Sequence, residues 1–163
     1  DGIYGKDVTY RDDITFEQQG QHAMLNYDPA FQQIAAEGDI IVGGRNFGSG
    51  SSREQAATAL ASRGVRLVIA ASAGQTYKRN AFNNGFPLVE CAELVTFLRE
   101  RFASDSRKTI RTGLAAEVDF RASTLRAGDR TFRFAPLGEV PQQLVIAGGA
   151  EKLVRRQLEG IAE

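Results

Sequence analysis

Residues 38–72 read GDIIVGGRNFGSGSSREQAATALASRGVRLVIAAS, and this stretch decides the predicted fold. Continuous apolar centres in residues 38–44 and 65–72 indicate two buried strands. Between them, residues 53–64 carry apolar side chains near helical spacing, and Gly64 is expected just past the helix end. A strand, a loop, a helix and a second strand in this order predict a parallel pair joined by a right-handed crossover.

The rest of the chain predicts further elements around this unit. Thr15 is expected to cap a short helix near residues 15–25. Period-two alternation on both sides of RAGDR predicts an antiparallel hairpin within residues 115–137. A helix ending near Gly85, a short strand, an amphipathic helix and one or two closing helices interrupted at Gly148–Gly149 complete the pattern. With no repeats and no linker, residues 1–163 are predicted to form one α/β domain with a mixed sheet.

Composition excludes several classes of function. Lys and Arg number 20 and Asp and Glu also number 20, so net charge gives no case for nucleic acid or an anionic membrane. No apolar run approaches the roughly 18 residues of a membrane span. Cys91 is the only cysteine and His22 the only histidine, so we expect no metal site, and an iron–sulfur cluster needs about four thiolates. The chain starts at Asp1 rather than Met, and we expect a fragment, a processed product or a trimmed version of a longer protein.

The loop GSGSSRE, residues 48–54, allows two interpretations. Ser51 precedes Glu54 by three residues, as Ser52 precedes Gln55, so either pair fits a helix capping box. An anion site is the alternative, because Gly48 and Gly50 leave room for a ligand and a helix start presents unpaired N–H groups.

The arginine of this loop favours a carboxylate as the anion. Arg53 adds a planar fork that matches a carboxylate. The loop is neither a Walker A sequence nor G-x-G-x-x-G, since no Gly-Lys-Ser/Thr follows and Arg53 stands at the third glycine position. The sequence therefore disfavours a phosphate held in either of those ways.

Other polar residues have simpler interpretations. The charged opening segment is most simply a solvated terminus, and Tyr10 could help to position Arg11 beside it. His22 is interpreted as a helix surface residue and Cys91 as a core residue. Residues 77–80, YKRN, are interpreted as a basic surface turn in preference to a second anion contact.

The combined motifs resemble the swivel domain of the aconitase superfamily. GDIIVGGRNFGSGSSREQAATAL followed by RLVIAASAGQTYKRNAFNNGFPLVE carries the resemblance, which extends from the opening DGIY to the closing QQLVIAGGAEKLVRRQL. SSREQA, DGIYGKDVTYRDDIT and NYDPAF are most similar to the homoaconitase branch, especially its single-chain fungal members. GRNFG is also common in isopropylmalate isomerases.

The resemblance implies a β/β/α swivel domain that closes over an active site built mostly by other domains. It implies a [4Fe–4S] cluster held by a cluster-bearing large subunit or N-terminal domains, and not by this chain. The implied reaction is reversible dehydration and rehydration of a hydroxy-tricarboxylate substrate. The implied location is the mitochondrial matrix for a fungal single-chain enzyme and the cytoplasm otherwise.

The resemblance also implies roles for particular residues. Ser51 matches the catalytic base, and Ser52 and Arg53 match the pair that binds a substrate carboxylate. Arg11 corresponds to a second carboxylate-binding arginine, although its spacing from Asp1 is shorter than in aconitases. Asp1 matches the aspartate that helps to hold the active-site arginines.

Asn46 and Glu54, on either side of the serines, are predicted to support the site. Three hypotheses stay open: a homoaconitase part, an isopropylmalate or related 2-alkylmalate isomerase part, and a stand-alone carboxylate-binding module.

Overall fold

Three parallel strands form the central layer of the protein in the computed structural model, which describes residues 2–50 and 53–161. The sheet order is β1-β2-β3, with β1 at Ile40–Gly43, β2 at Leu67–Ala70 and β3 at Leu88–Glu90. Both predicted strands of the crossover unit pair in parallel, with Ile40 opposite Leu67. All four residues of β2 are buried, as their continuous apolar sequence predicts.

Helix α4, Gln55–Ser62, connects β1 to β2 and confirms the predicted crossover helix. Its buried face consists of small side chains and one leucine: Ala56, Ala57, Ala59 and Leu60. The helix ends at Arg63, and Gly64 follows with φ +91°, a left-handed conformation that favours glycine. The sequence pattern therefore located the end of this helix correctly.

A second, antiparallel sheet contains the predicted hairpin. Strands β5, Thr124–Ala127, and β6, Arg130–Arg133, are joined by a tight turn in which Gly128 has φ +60°. Strand β4, Ala116–Asp119, pairs with β5 and makes the sheet three-stranded. The parallel and antiparallel strands of the α/β fold thus form two separate sheets.

The two sheets and the helices enclose two apolar clusters on opposite faces of the parallel sheet. Val68 and Leu88 face the first cluster, which includes α4 and the opening segment. Ile69 and Val89 face the second, which includes α6 and the antiparallel sheet. This division follows the period-two alternation of side chains along a strand.

The opening segment is less helical than its sequence predicts. Helix α2 covers Phe16–Gln19 and passes into a 3₁₀ turn at Gly20–His22, and Met24 then adopts φ +62°. The Gln18 side chain accepts a hydrogen bond from the backbone N–H of Thr15 at 2.9 Å, which confirms that the helix begins at Thr15. The predicted extension to residue 25 is wrong because the backbone turns at Met24.

The helices after β2 follow the sequence pattern, whereas the two short helices at Lys6–Thr9 and Phe31–Ile34 were not predicted. Gly148, with φ +82°, separates the two closing helices, as predicted. No helix in residues 2–50 and 53–161 is long and apolar enough to cross a bilayer. The helices not yet given are α1 (Lys6–Thr9), α3 (Phe31–Ile34), α5 (Gln75–Asn83), α6 (Ala92–Arg101), α7 (Glu139–Ala147) and α8 (Ala150–Ile161).

Candidate active site

The candidate site lies at the carboxyl end of the parallel sheet, in the loop between β1 and α4. The loop continues the parallel pairing beyond the regular strands through a bridge between Phe47 and Ala73. The Phe47 N–H donates to the Ser72 carbonyl at 2.9 Å, and the Gly74 N–H donates to the Phe47 carbonyl at 2.9 Å. The first half of the loop is therefore fixed to the end of β2.

Asn46 forms the turn that starts this loop. Its φ is +55°, a left-handed conformation that asparagine tolerates better than most residues. Its N–H donates to Ser72 Oγ at 2.9 Å, and its carbonyl accepts a hydrogen bond from the Ser49 N–H at 3.1 Å. Asn46 is exposed, so its backbone shapes the loop while its side chain faces outward from the core.

The two glycines of the loop serve different purposes. Gly48 has φ +70°, and a Cβ there would lie 2.3 Å from Cγ of Tyr77. A Cβ at Gly50 would meet no described residue within 4 Å. The expectation that both glycines leave room for a ligand is therefore wrong at Gly48, where a tyrosine ring fills the space, while Gly50 borders open space.

Tyr77 packs against this loop at Phe47 and Gly48, a contact that was not predicted from the sequence. It is 1% exposed, and its ring meets the Phe47 ring edge-on with centroids 5.4 Å apart. Its hydroxyl is buried without a hydrogen-bond partner in residues 2–50 and 53–161, and burial raises the pKa of the phenol well above its ordinary value. Its position after β2, the strand beside the loop, was the available signal.

The surface turn expected at residues 77–80 is wrong. These residues belong to α5, and the Lys78 ammonium lies 3.3 Å from Glu90 Oε1. The same Glu90 oxygen accepts a hydrogen bond from the Ala73 N–H at 2.8 Å. Lys78 and Glu90 thus fix the segment that connects β2 to α5. The loop between β1 and α4 packs against this segment.

Glu54 stands at the N-cap of α4, a position that the capping-box interpretation assigned to one of the two serines. Its carboxylate Oε1 accepts a hydrogen bond from Asn84 Nδ2 at 2.8 Å, so it links α4 to the end of α5. Ser51 and Ser52 themselves lie outside the described residues, as does Asp1. The choice between a capping box and an anion site for these serines therefore stays a prediction.

Arg53 connects the start of α4 to the opening segment. The side chain is half-buried, and Nη1 donates to the Tyr4 carbonyl at 3.4 Å. Tyr4 is itself buried, and burial is the main cause that raises the pKa of its phenol, partly offset by the nearby Arg11 charge. Arg53 thus donates to the backbone carbonyl of Tyr4, and the charge of Arg11 lowers the pKa of the Tyr4 hydroxyl.

Arg11 is bound to a carboxylate of its own segment. Its Nε and Nη2 donate to the two oxygens of Asp13 at 3.0 and 2.6 Å. This pairing lowers the pKa of Asp13 and raises that of Arg11. The Arg11 side chain is 53% exposed, so the structure brings it near Tyr4 but does not bury it beside Arg53. Tyr10 is 75% exposed and does not hold it.

Within residues 2–50 and 53–161, the side chains that could bind a metal lie apart from one another or are buried. Cys91 is buried, its thiol pKa is raised mainly by burial, and its Sγ donates to the Arg133 carbonyl at 3.5 Å. His22 packs edge-on against the Tyr4 ring, with centroids 6.5 Å apart. No group of three His, Cys, Asp or Glu residues suited to a metal ion occurs in the described part of the chain. The donors present do not fit an iron–sulfur cluster.

Comparison with known proteins places these features in a family. The family model described as the aconitase C-terminal domain matches residues 4–93. Mitochondrial homoaconitase of Aspergillus fumigatus is 44% identical over 97% of this chain, and that of Debaryomyces hansenii is 40% identical over 98%. The chain spans 21% and 24% of the lengths of these two relatives.

A solved structure agrees with the sequence comparisons. The crystal structure of 3-isopropylmalate dehydratase from Methanocaldococcus jannaschii superposes with a TM-score of 0.82 at 26% identity. The match covers 99% of this chain and 89% of that one. The loop, the crossover helix and the strands on either side of them lie within the matched residues 4–93, and the chain belongs to the aconitase C-terminal domain family.

Proposed function

We propose that residues 1–163 act as the swivel domain of an aconitase-type hydro-lyase that converts homocitrate to homoisocitrate through cis-homoaconitate. This reaction belongs to lysine biosynthesis by the aminoadipate route. The two relatives named homoaconitase, each matched over nearly the whole of this chain, support the substrate class. The proposed partner is a cluster-bearing part of the same polypeptide or a separate large subunit.

One observation carries the catalytic proposal: the half-buried Arg53 stands at the start of α4, with Nη1 donating to the Tyr4 carbonyl at 3.4 Å. Its planar fork matches a carboxylate, and it lies beside a helix start, where unpaired N–H groups favour an anion. The loop is fixed to β2 on one side, and the open space at Gly50 gives a ligand access on the other. These features favour an anion-binding loop over a helix cap.

In the proposed mechanism, Ser51 takes the proton from the carbon next to the hydroxyl-bearing carbon, and returns a proton when water adds back at the neighbouring position. A serine hydroxyl is ordinarily far too weak an acid to ionise near neutral pH. Arg53 and the nearby helix start lower the cost of the alkoxide because both favour negative charge. Ser52 and Arg53 bind a substrate carboxylate, and the hydroxyl group leaves toward the cluster-bearing partner.

Arg11 is proposed to contact the distal carboxylate of the substrate. In the structure it is paired with Asp13, so it must exchange that partner for the substrate. Asn46 and Asp1 are proposed to support the loop and the arginines. Names of the fungal relatives support the mitochondrial matrix as the location if the complete protein is of that kind, with the cytoplasm otherwise.

The proposal is tested with Ser51→Ala and Arg53→Lys in the complete enzyme. Loss of a general base lowers kcat by about 10²–10⁴-fold, whereas loss of a cap costs roughly 1 kcal/mol of stability with kcat retained. Lysine cannot make two parallel hydrogen bonds to a carboxylate, so Arg53→Lys is expected to lower kcat/KM by at least about tenfold.

Two exposed residues serve as matched controls. Ser106→Ala and Arg121→Lys change the same residue types on the surface, and we expect parental kinetics from both. Parental kinetics from Ser51→Ala and Arg53→Lys as well would reject the catalytic and anion-binding roles and leave a helix cap as the better interpretation of the loop.

A second candidate function is isopropylmalate isomerisation, or that of a related 2-alkylmalate, favoured by the structural match to 3-isopropylmalate dehydratase. The two candidate functions differ in the group at the distal end of the substrate. A carboxylate there requires a cation in the protein, whereas an isopropyl group requires an apolar surface. Arg11→Lys separates them: it should lower kcat/KM for homocitrate and leave an isopropylmalate substrate unaffected. Turnover of isopropylmalate alone would establish the second candidate.

A further inference from the structure

Helix α5 contacts the loop between β1 and α4 at two places, one on each side of the two serines. At the N-terminus of α5, a Cβ at Gly74 would lie 2.9 Å from Cα of Ser49. At its C-terminus, Asn84 Nδ2 donates to Glu54 Oε1 at 2.8 Å. The two ends of α5 thus lie against the residues that precede and follow the proposed catalytic segment.

The chain that joins these two contacts has little spare length. A helix rises about 1.5 Å per residue, so α5 advances about 15 Å from Gly74 to Asn84. An extended chain covers at most about 3.6 Å per residue, or about 18 Å for the five steps from Ser49 to Glu54. The side of α5 between the two contacts is therefore within reach of the residues between Ser49 and Glu54.

Asn80 stands on that side of α5. Residues 77, 80, 81 and 84 follow the spacing i, i+3, i+4 and i+7, so they share one face of the helix. Tyr77 and Ala81 are buried, and Asn84 donates to Glu54. Asn80 is half-buried, and it is the residue of this face whose side-chain amide lies between the two loop contacts.

Asparagine is a poor choice for the middle of a helix unless its side chain has a specific task, because its amide competes for backbone hydrogen bonds. The Asn80 backbone carbonyl serves the helix, since it accepts hydrogen bonds from the Asn84 N–H at 3.1 Å and from Asn84 Nδ2 at 2.9 Å. The Asn80 carboxamide offers two N–H donors without a charge. A hydrogen bond from such a donor strengthens when the acceptor becomes an anion.

We propose that Asn80 is a positioning residue: its side-chain amide donates hydrogen bonds to the segment that carries Ser51 and Ser52, and so orients Ser51 for proton transfer. This inference rests on the proposed catalytic role of Ser51. Asn84 holds the end of the same loop through Glu54, so successive turns of α5 support the loop. Asn80 acts through the serine and not on the substrate, so its loss should affect kcat more than KM.

Steady-state kinetics of the complete enzyme with homocitrate test the proposal. Asn80→Ala should lower kcat by more than about fivefold and leave KM within about threefold of the parent. Asn83→Ala is the matched control, because Asn83 is an exposed asparagine of the same helix, and it should keep parental kinetics. A smaller loss of kcat in Asn80→Ala, or an equal loss in Asn83→Ala, overturns the proposal.

An isosteric variant separates positioning from packing. Asn80→Asp keeps the shape of the side chain, removes its donors and adds a negative charge that opposes a serine alkoxide. It should lower kcat at least as far as Asn80→Ala does. A role in packing alone would make aspartate the milder change, so a higher kcat in Asn80→Asp than in Asn80→Ala overturns the proposal.

A double variant distinguishes failure of this inference from failure of the proposed function. If Asn80 acts through Ser51, adding Asn80→Ala to Ser51→Ala should lower kcat by less than about twofold further, and a larger further loss contradicts that coupling. Parental activity in Ser51→Ala would reject the proposed function and this inference with it. Low activity in Ser51→Ala together with parental activity in Asn80→Ala would reject the positioning role alone.

Hydrogen exchange gives a measurement that does not depend on turnover. In the complete enzyme, the peptide that contains Ser51 and Ser52 should exchange its amide hydrogens at least about threefold faster in Asn80→Ala than in Asn83→Ala. Equal exchange in the two variants would show that Asn80 does not hold this segment.

Discussion

Gly48→Ala should destabilise the domain by removing a conformation and by creating an overlap. Gly48 has φ +70°, which costs an alanine about 1–2 kcal/mol. The added Cβ would lie 2.3 Å from Cγ and 2.5 Å from Cδ2 of Tyr77. Tyr77 is 1% exposed and packs against Phe47, so its ring has no room to retreat. Overpacking of this kind costs about 1–3 kcal/mol, which gives a total of about 2–5 kcal/mol.

Thermal unfolding measures this effect. At about 2–4 °C per kcal/mol for a chain of this size, Tm should fall by about 4–20 °C. Gly50→Ala is the matched control, because a Cβ there meets no described residue within 4 Å, and it should stay within about 0.5 kcal/mol of the parent.

A double variant separates the two causes. Tyr77→Leu removes part of the ring, so combining it with Gly48→Ala should cost less than the sum of the single changes. A Tm within about 2 °C of the parent for Gly48→Ala would refute both the contact with Tyr77 and the backbone strain.

Three further outcomes are expected. Tyr77→Phe removes a buried hydroxyl that has no partner among the described residues, so the free energy of unfolding should be unchanged or higher, by up to about 1–3 kcal/mol; clear destabilisation would reveal a partner. The Arg111 guanidinium lowers the pKa of Asp39 through their hydrogen bonds, so the pair stabilises the fold above the unfolded pKa of about 3.9 and is lost as pH falls through the folded value. Asp39→Asn should therefore lower the free energy of unfolding at pH 7 by at most about 1 kcal/mol, and the difference from the parent should shrink as pH falls through the folded pKa of Asp39. A difference that does not change with pH would exclude this pairing. The isolated 163-residue chain should fold without binding a cluster or showing dehydratase activity. Turnover without a partner would contradict the proposal that the cluster is bound by another domain or subunit.

Elements with strong local signals were predicted well from the sequence. The crossover unit follows from two short apolar runs around an alanine-rich helix, and the ends at Gly64 and Gly148 follow from left-handed glycines. The helix at Thr15 was located at its start but not at its end. Its end depends on the turn at Met24, a residue with no such local preference.

The candidate site was predicted only in part. The position of the loop at the carboxyl end of β1 follows from chain order, while its anion-binding character, inferred from Arg53 and Gly50, stays a prediction. Tyr77 was missed because its burial depends on α5 packing beneath a loop some thirty residues earlier in the chain. The pairing of Arg11 with Asp13 was missed as well, because both belong to a segment interpreted as a solvated terminus.

The sequence by itself determined the order of the strands and helices, the absence of a cluster-binding set of cysteines and the family of the chain. These depend on the period of apolar residues, the conformational freedom of glycine and the residues present in the loop. Only the tertiary structure decided that Gly48 accommodates Tyr77, that Arg53 donates to the Tyr4 carbonyl and that the parallel and antiparallel strands form two separate sheets. Those features arise from contacts between segments that are far apart in the sequence. They could not be predicted from the sequence because they depend on which side chains pack together in the folded chain.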